Sequence, residues 1–218
     1  MKKLTVFSRV AIAAVSIAIP GSAQERWELG VAGGYGFYKN VTATNATGEA
    51  STGFKSGPAF GVIAGNEVSR WLSGEARYTY RRNDLKVSAG SASAQFKGES
   101  HVLHYDFLFH GAPRTARVRP FLAAGAGAKV YRGTGTETVT QPLINFVALT
   151  RTSQLVPMVS FGGGVKIRLS DSLLLRLEAR DFVSPFPNQV IAPVPRARVS
   201  GWLHDIVPMA GLSFTFGR

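Results

Sequence analysis

Charged side chains occur at every second position in two short segments of the chain. Glu75 is followed by Arg77, and Arg176, Glu178 and Arg180 alternate with Leu175, Leu177 and Ala179. In an extended strand, every second side chain lies on the same face. Buried ions must be paired, because an isolated buried charge costs several kcal/mol. The spacing predicts an interior salt-bridge network with Glu75 and Glu178 as its central acids. Its predicted members are Glu75, Arg77, Asp106, Arg176, Glu178 and Arg180.

A second group of residues has the types that a hydrolase uses. His104 and Asp106 share a face, and Ser160 lies on the same side of another segment. A hydrolase needs its nucleophile, base and orienting group within hydrogen-bond reach. Nothing in the sequence brings these three together, so we interpret them as interior polar residues and predict no catalytic residue. The four histidines have no ligand spacing and the chain has no cysteine, so we expect neither a metal nor a cofactor.

These residues lie on segments that alternate with period two, the signature of β-strands. Six of these segments alternate clearly, and the last of the six begins near Met209. Two weaker segments bring the total to eight. The clear segments are Trp27–Lys39, Leu72–Arg82, His101–Phe109, Val159–Leu169, Leu173–Asp181 and Met209–Phe216, and the weaker ones are Pro58–Val68 and Val118–Tyr131.

The charged faces favour a membrane barrel over a soluble sandwich. A sandwich or a lipocalin-like barrel would bury the leucines of Leu173–Asp181 and expose its charges. A membrane barrel places the leucines against lipid and the charges in a polar interior.

The connections between the segments alternate between long and short. Long stretches, such as Asn40–Ser56, are followed by short ones, such as Ser69–Trp71 and Ser170–Ser172. Outer-membrane barrels have short periplasmic turns and longer extracellular loops. The order predicts an eight-stranded antiparallel up-and-down transmembrane β-barrel, all-β, with both termini in the periplasm.

Aromatic residues fall at both ends of the predicted strands, as expected at two membrane interfaces. Trp27 and Trp71 are at the end with the short turns. Phe37, Tyr38, Tyr78 and Tyr80 are at the other end.

The N-terminus has the order of a secretory signal. Lys2 and Lys3 precede the apolar run Val10–Ile19, which is too short for the ~20 residues of a spanning helix. We predict a signal peptide over residues 1–23, cleaved after Ala23, and one barrel domain over residues 24–218. Its removal lowers the formal charge of +12 by three.

Several stretches resemble the outer-membrane protein β-barrel family of small OmpA-like and OmpX-like barrels. They are LGVAGGYGFY in the first strand, RPFLAAGAG at 119–127, LRLEAR at 175–180 and GLSFTF at 211–216. The resemblance implies the barrel fold, an outer-membrane location and insertion by the barrel-assembly machinery. The chain ends two residues after Phe216, whereas such families usually end on an aromatic residue.

An eight-stranded barrel is just wide enough for side chains to fill it. We therefore expect a non-enzymatic, monomeric outer-membrane protein, structural or surface-interacting, that binds no nucleic acid. The predicted interior has three acids against eight Lys or Arg, so a small anion-preferring pore stays an alternative. A lipid-modifying barrel enzyme is another. Outer-membrane lipids and lipopolysaccharide are the expected partners. Four loop arginines are candidates for lipopolysaccharide contact, Arg132, Arg151, Arg196 and Arg198.

Overall fold

A computed structural model describes residues 26–138 and 141–217. The predicted signal peptide, residues 1–23, lies outside the described residues. Fifteen strands follow one another along the described chain, and it contains no helix that is long and apolar enough to cross a membrane. The strands are β1 (Trp27–Lys39), β2 (Val41–Asn45), β3 (Gly48–Phe54), β4 (Gly57–Glu67), β5 (Leu72–Arg82), β6 (Leu85–Ala89), β7 (Ala92–Phe96), β8 (Gly98–His110), β9 (Val118–Gly133), β10 (Val147–Leu149), β11 (Ser153–Arg168), β12 (Leu173–Pro185), β13 (Ile191–Pro193), β14 (Arg198–Ser200) and β15 (Trp202–Phe216).

Eight of these strands close into an antiparallel barrel. Their order around the wall is β1-β15-β12-β11-β9-β8-β5-β4, and β4 pairs back to β1. The barrel closes between its first and last strands, β1 and β15, and all other neighbours in the wall are consecutive strands of the barrel, which is the up-and-down topology. The fold predicted from the alternating segments is confirmed.

Two barrel strands begin six or seven residues earlier than the sequence predicts. β11 begins at Ser153 rather than Val159, and β15 begins at Trp202 rather than near Met209. Each of these additional stretches contains or adjoins a proline, Pro157 or Pro208. Proline cannot donate to a β-ladder, so a proline in a segment argues against a strand there. Because of the two prolines, the sequence does not predict the first residues of β11 and β15, which are strand in the structure.

The connections distinguish the two ends of the barrel. The turns 68–71, 111–117 and 169–172 lie at one end, here called the turn end, together with both ends of the barrel chain. The stretches 40–56, 83–97, 134–138 with 141–152, and 186–201 lie at the other, the loop end. The predicted alternation of long and short connections is confirmed.

The outer wall of the barrel is apolar and its interior is charged. Leu175 and Leu177 are partly exposed on the outside of β12, whereas Arg176 is fully buried between them. Trp27 and Trp71 are exposed at the turn end. The prediction that Tyr38 belongs to an outer aromatic band is wrong. Tyr38 lies inside the barrel, and the guanidinium of Arg81 lies 4.8 Å from the centre of its ring.

The long loops contain the remaining seven strands. Strands β14, β2, β3, β6 and β7 form a five-stranded sheet, and β10 pairs with β13. Gly90, with φ of 57°, is the first central residue of the two-residue turn between β6 and β7, where only glycine is unstrained. The loops therefore form an ordered cap over the loop end of the barrel.

The cap has a hydrophobic core of its own. Phe54 stacks on Tyr131 of the barrel wall with 4.6 Å between the ring centroids. Side chains from all four long loops pack around this pair. They are Val41, Ala43, Ala50, Leu85, Val87, Ala94, Phe96, Phe146, Val147, Leu149, Phe186, Val190 and Ile191. This core covers the loop end of the barrel interior with apolar side chains.

We expect Phe54→Ala to loosen the cap without opening the barrel wall. Removing a buried phenylalanine costs about 3–5 kcal/mol, and Phe54 is 2% exposed. Trypsin should cleave after the neighbouring Lys55 at least tenfold faster than in the wild type. The folded barrel should keep its heat-sensitive mobility on SDS gels.

Ile144→Ala is the matched control, because Ile144 is a loop residue that is 46% exposed. Its cleavage rate should equal that of the wild type. Equal rates for Phe54→Ala and the wild type would contradict the cap.

Candidate functional site: a layered charged lumen

Six charged residues meet at mid-height in the barrel and are called the central network. They are Glu75, Arg77, Asp106, Arg176, Glu178 and Arg180, the six residues that the sequence analysis grouped. Strands β5, β8 and β12 supply them, and each side chain is at most 7% exposed. The structure brings all six together.

Each guanidinium of the central network contacts two or more carboxylates. Arg77 lies 2.7 Å from Glu75 and 2.6 Å from Glu178. Arg176 lies 2.7 Å from Glu75 and 3.4 Å from Glu178. Arg180 lies 2.6 Å from Asp106 and 3.2 Å from Glu178. Shared contacts of this kind offset the desolvation of buried ions, which a single pair does not reliably achieve.

Glycines on β11 make room for the central network. Gly162 lies opposite Arg180 and Gly164 opposite Glu178. A Cβ atom on Gly164 would lie 2.3 Å from the carbonyl oxygen of Leu177 and 2.6 Å from Cβ of Glu178. No side chain fits there, so the glycine-rich face of β11 is what allows the charged side chains of β12 to occupy the lumen.

A second charged group lies at the turn end. Lys166 and Arg176 both bind Glu28, at 2.5 and 2.7 Å, so Arg176 joins this group to the central network. Arg119 and Arg114 both pair with Glu67. Arg119 also donates to the carbonyl oxygens of Arg70 and Ala112, so it braces two turns.

A third charged group lies at the loop end. Asp205 accepts from Arg81 and, at 2.6 Å, from Lys129. All three side chains are fully buried. The Tyr38 ring lies 4.8 Å from the Arg81 guanidinium and 4.9 Å from the Lys129 ammonium, which adds cation–π attraction.

An apolar layer separates the loop-end charges from the central network. Its members come from six barrel strands and are all buried. They are Ala32, Ala59, Ile63, Val102, Met158, Phe182, Val207 and Met209. The lumen is therefore filled in layers, and each buried arginine or lysine in the described residues pairs with an acid.

The charge balance of the lumen differs from the prediction of three acids against eight bases. Glu28 and Asp205 are buried in the lumen, and Glu67 pairs with bases at its turn end. Asp205 was missed because the residues before Met209 were assigned to a loop. Five buried acids now face seven buried bases, so the excess of bases falls from five to two. The buried bases are Arg77, Arg81, Arg119, Lys129, Lys166, Arg176 and Arg180, and the buried acids are Glu28, Glu75, Asp106, Glu178 and Asp205.

The residues considered for hydrolysis do meet, which the sequence did not indicate. His104 Nδ1 lies 3.1 Å from one oxygen of Asp106, and the Ser160 hydroxyl donates to the other oxygen at 3.4 Å. The acid thus lies between the serine and the histidine, whereas a triad places the histidine between serine and acid. Asp106 also pairs with Arg180, and all three residues are buried. In the described part of the chain, no three metal-binding side chains cluster as a metal site.

The four loop arginines fall into two pairs. Arg132 and Arg151 line one polar pocket at the loop ends of β9 and β11. Arg198 lies on β14, which pairs with β2 beside the β1–β15 seam, and Arg196 is in the turn before it. In the closed strand order β9 is opposite β1. The four therefore do not line one pocket, although the pairing of β10 with β13 joins the loops that contain Arg151 and Arg196.

Comparison with known proteins identifies the fold family. A family model for the outer membrane protein β-barrel domain matches residues 10–186, most of the chain. The chain belongs to this family. A comparison with curated protein sequences finds no match.

Two solved structures of this outer-membrane type are similar in fold. The outer membrane protein OprG from Pseudomonas aeruginosa is 9% identical, with a TM-score of 0.61, over 90% of this chain and 97% of that one. Neisserial surface protein A is 13% identical, with a TM-score of 0.54, over 88% of this chain and 97% of that one. In this family the apolar wall faces lipid, the turn end is periplasmic and the loop end is extracellular.

We expect Glu178→Gln to destabilise this outer-membrane barrel. The amide keeps the size of the side chain but removes the charge that Arg77, Arg176 and Arg180 share. Removing one partner of a buried ion pair costs about 3–5 kcal/mol. Urea unfolding in lipid vesicles, followed by tryptophan fluorescence, should show a loss of this size.

Glu49→Gln is the control, because Glu49 is an exposed acid on β3. Its free energy of unfolding should match that of the wild type. A Glu178→Gln barrel as stable as the wild type would show that the central network contributes nothing to stability.

Proposed function

We propose that the protein is a non-enzymatic outer-membrane barrel with a closed lumen, which acts through its wall and its extracellular surface. The observation that supports this is the layered filling of the lumen. Arg77, Phe182 and Asp205 are each at most 1% exposed at three successive heights. The apolar core of the cap covers the extracellular end above them.

An anion-preferring pore has less support than the sequence alone gave it. Its basis was the excess of bases, and Glu28, Glu67 and Asp205 now account for Lys166, Arg119 and Lys129. Two cavities among lumen residues at the periplasmic end have volumes of about 40 and 10 Å³. Roughly 10–15 Å³ of such space is enough for one water molecule, so the two cavities hold a few waters. Their lining residues lie at the periplasmic end and reach no further up the lumen than Glu75, so neither cavity crosses the lumen.

A lipid-modifying enzyme also has little support. Ser160 and His104 bond to Asp106 rather than to each other, and all three are buried inside the wall. A lipid substrate would have to reach them through the paired strands.

We propose that the chain is exported to the periplasm and then inserted into the outer membrane. Export would remove residues 1–23 after Ala23, and the barrel-assembly machinery would insert a monomer. Lipopolysaccharide and other outer-membrane lipids are the proposed partners of the wall.

We expect the purified barrel to produce no conductance steps in planar lipid bilayers, because side chains fill the lumen at every height. The Phe54→Ala variant should also be silent, since the central network lies below the cap. A general porin reconstituted in the same way provides the positive control. Anion-selective steps from the wild type would contradict the closed lumen and favour the pore.

Expression of the protein in a bacterial host should leave the acyl chains of lipid A and phospholipids unchanged, because the Ser160, Asp106 and His104 group is out of lipid reach. Mass spectrometry of extracted lipids measures this. A change in acylation that disappears in a Ser160→Ala variant would contradict the non-enzymatic proposal.

A further inference from the structure

The polar pocket between the β9 and β11 strand ends opens at the extracellular side of the wall. It has a volume of about 290 Å³. Its lining consists of two arginines, three hydroxyl residues and a glycine, namely Arg132, Arg151, Thr134, Thr152, Ser153 and Gly133. Arginine forks and hydroxyl groups are the donors that proteins use for phosphate.

The pocket lies directly above the apolar belt of the wall. The outward residues of β9 below Arg132 are all apolar: Val118, Pro120, Leu122, Ala124, Ala126, Ala128 and Val130. The rise from Val118 to Val130 is about 40 Å along a strand, or roughly 30 Å across the membrane for a strand tilted by about 40°. The apolar band of such barrels is about 25 Å tall. Arg132 therefore lies at the level of the outer-leaflet headgroups.

Three arginines, Arg82, Arg132 and Arg151, lie in or beside the pocket together with two acids, Glu99 and Glu137. Arg82, Glu99, Arg132 and Ser153 form one row across β5, β8, β9 and β11. Glu99 lies 3.4 Å from Arg132, and its other oxygen accepts from the Tyr80 hydroxyl at 3.2 Å. The Arg132 side chain remains 60% exposed despite this contact. Glu137 is the second acid, and it accepts from the backbone N–H of Arg151.

The wall below the pocket has a shallow trough that would accept acyl chains. Ala126 lies between Tyr105 and Val159, and Ala124 between Phe107 and Phe161. The larger side chains are exposed on both sides of these alanines. The trough would hold acyl chains, whereas the pocket with its two arginines would bind the headgroup and determines what the site recognises.

We propose that Arg132 and Arg151 bind a phosphate of lipid A, the phosphorylated glycolipid anchor of lipopolysaccharide, with Thr134 and Ser153 as further hydroxyl donors. Arg82 extends the basic surface along the wall. The site rests on the proposed placement in the outer membrane. It also divides the four predicted arginines, because Arg196 and Arg198 belong to the segment beside β2 and do not line the pocket.

The test compares two double variants of the full-length, refolded barrel in detergent. Arg132→Gln with Arg151→Gln removes the site, and Arg196→Gln with Arg198→Gln removes the same charge elsewhere on the extracellular surface. Native mass spectrometry measures binding of diphosphoryl lipid A and of dephosphorylated lipid A. All four side chains are exposed, and heat-sensitive gel mobility verifies that each variant folds.

Hydrogen bonds to charged groups are the stronger ones in proteins, so the first variant should bind diphosphoryl lipid A at least tenfold more weakly. The control should stay within twofold of the wild type, and dephosphorylated lipid A should bind all three proteins alike. Equal losses in both variants, or no loss in the first, would overturn the site. Inorganic phosphate binding as tightly as lipid A would overturn the lipid assignment. None of these outcomes alters the conductance test of the closed lumen.

Discussion

The shared ion pairing of Arg77, Arg176 and Arg180 fixes how the strands of this barrel are placed. These guanidiniums cannot face lipid, where an unpaired charge has no partner, so their strands must turn that face inward. A shift of one residue in the pairing of β12 with β11 or β15 would move Arg176 outward and Leu177 inward. The network therefore determines register and orientation together. The apolar wall, the glycine face of β11 and the position of the two ends all follow from that constraint.

The layers of the lumen show how one interior holds many charges. Charged groups at three heights each contain both signs, and the apolar layer around Phe182 prevents the loop-end group from exchanging partners with the centre. Replacing buried ion pairs by apolar residues is often neutral for stability in soluble proteins. In a narrow barrel the charges also disfavour other strand pairings, because a strand in the wrong register would leave a buried charge without a partner of opposite sign.

The sequence predicted the strands of the barrel wall better than it predicted the cap and the loop ends of β11 and β15. Alternation in β5, β8 and β12 was clear, so the six residues of the central network could be named in advance. Pro157 and Pro208 interrupted that signal, which hid the first residues of β11 and β15 and with them Asp205. The cap strands are only three to seven residues long and mix polar with apolar residues. The order of residues along the chain does not show how far apart two loop residues lie around the barrel. Arg132 and Arg198 were therefore grouped, although the structure separates them.

The pairing of β14 with β2 has a consequence for assembly. β1 and β15 are the first and last strands of the wall, and their contact joins Trp27 to Phe216 across almost the whole described chain. Contacts between such distant positions form late in folding, because their loop-closure entropy is large. Beyond the last wall pair, Lys39 with His204, the same two chain segments pair again in the separate sheet of the cap, through Thr42 with Ser200. The pairing of β2 with β14 in the cap thus stabilises the contact between β1 and β15, the last contact of the wall to form, from the aqueous side of the membrane.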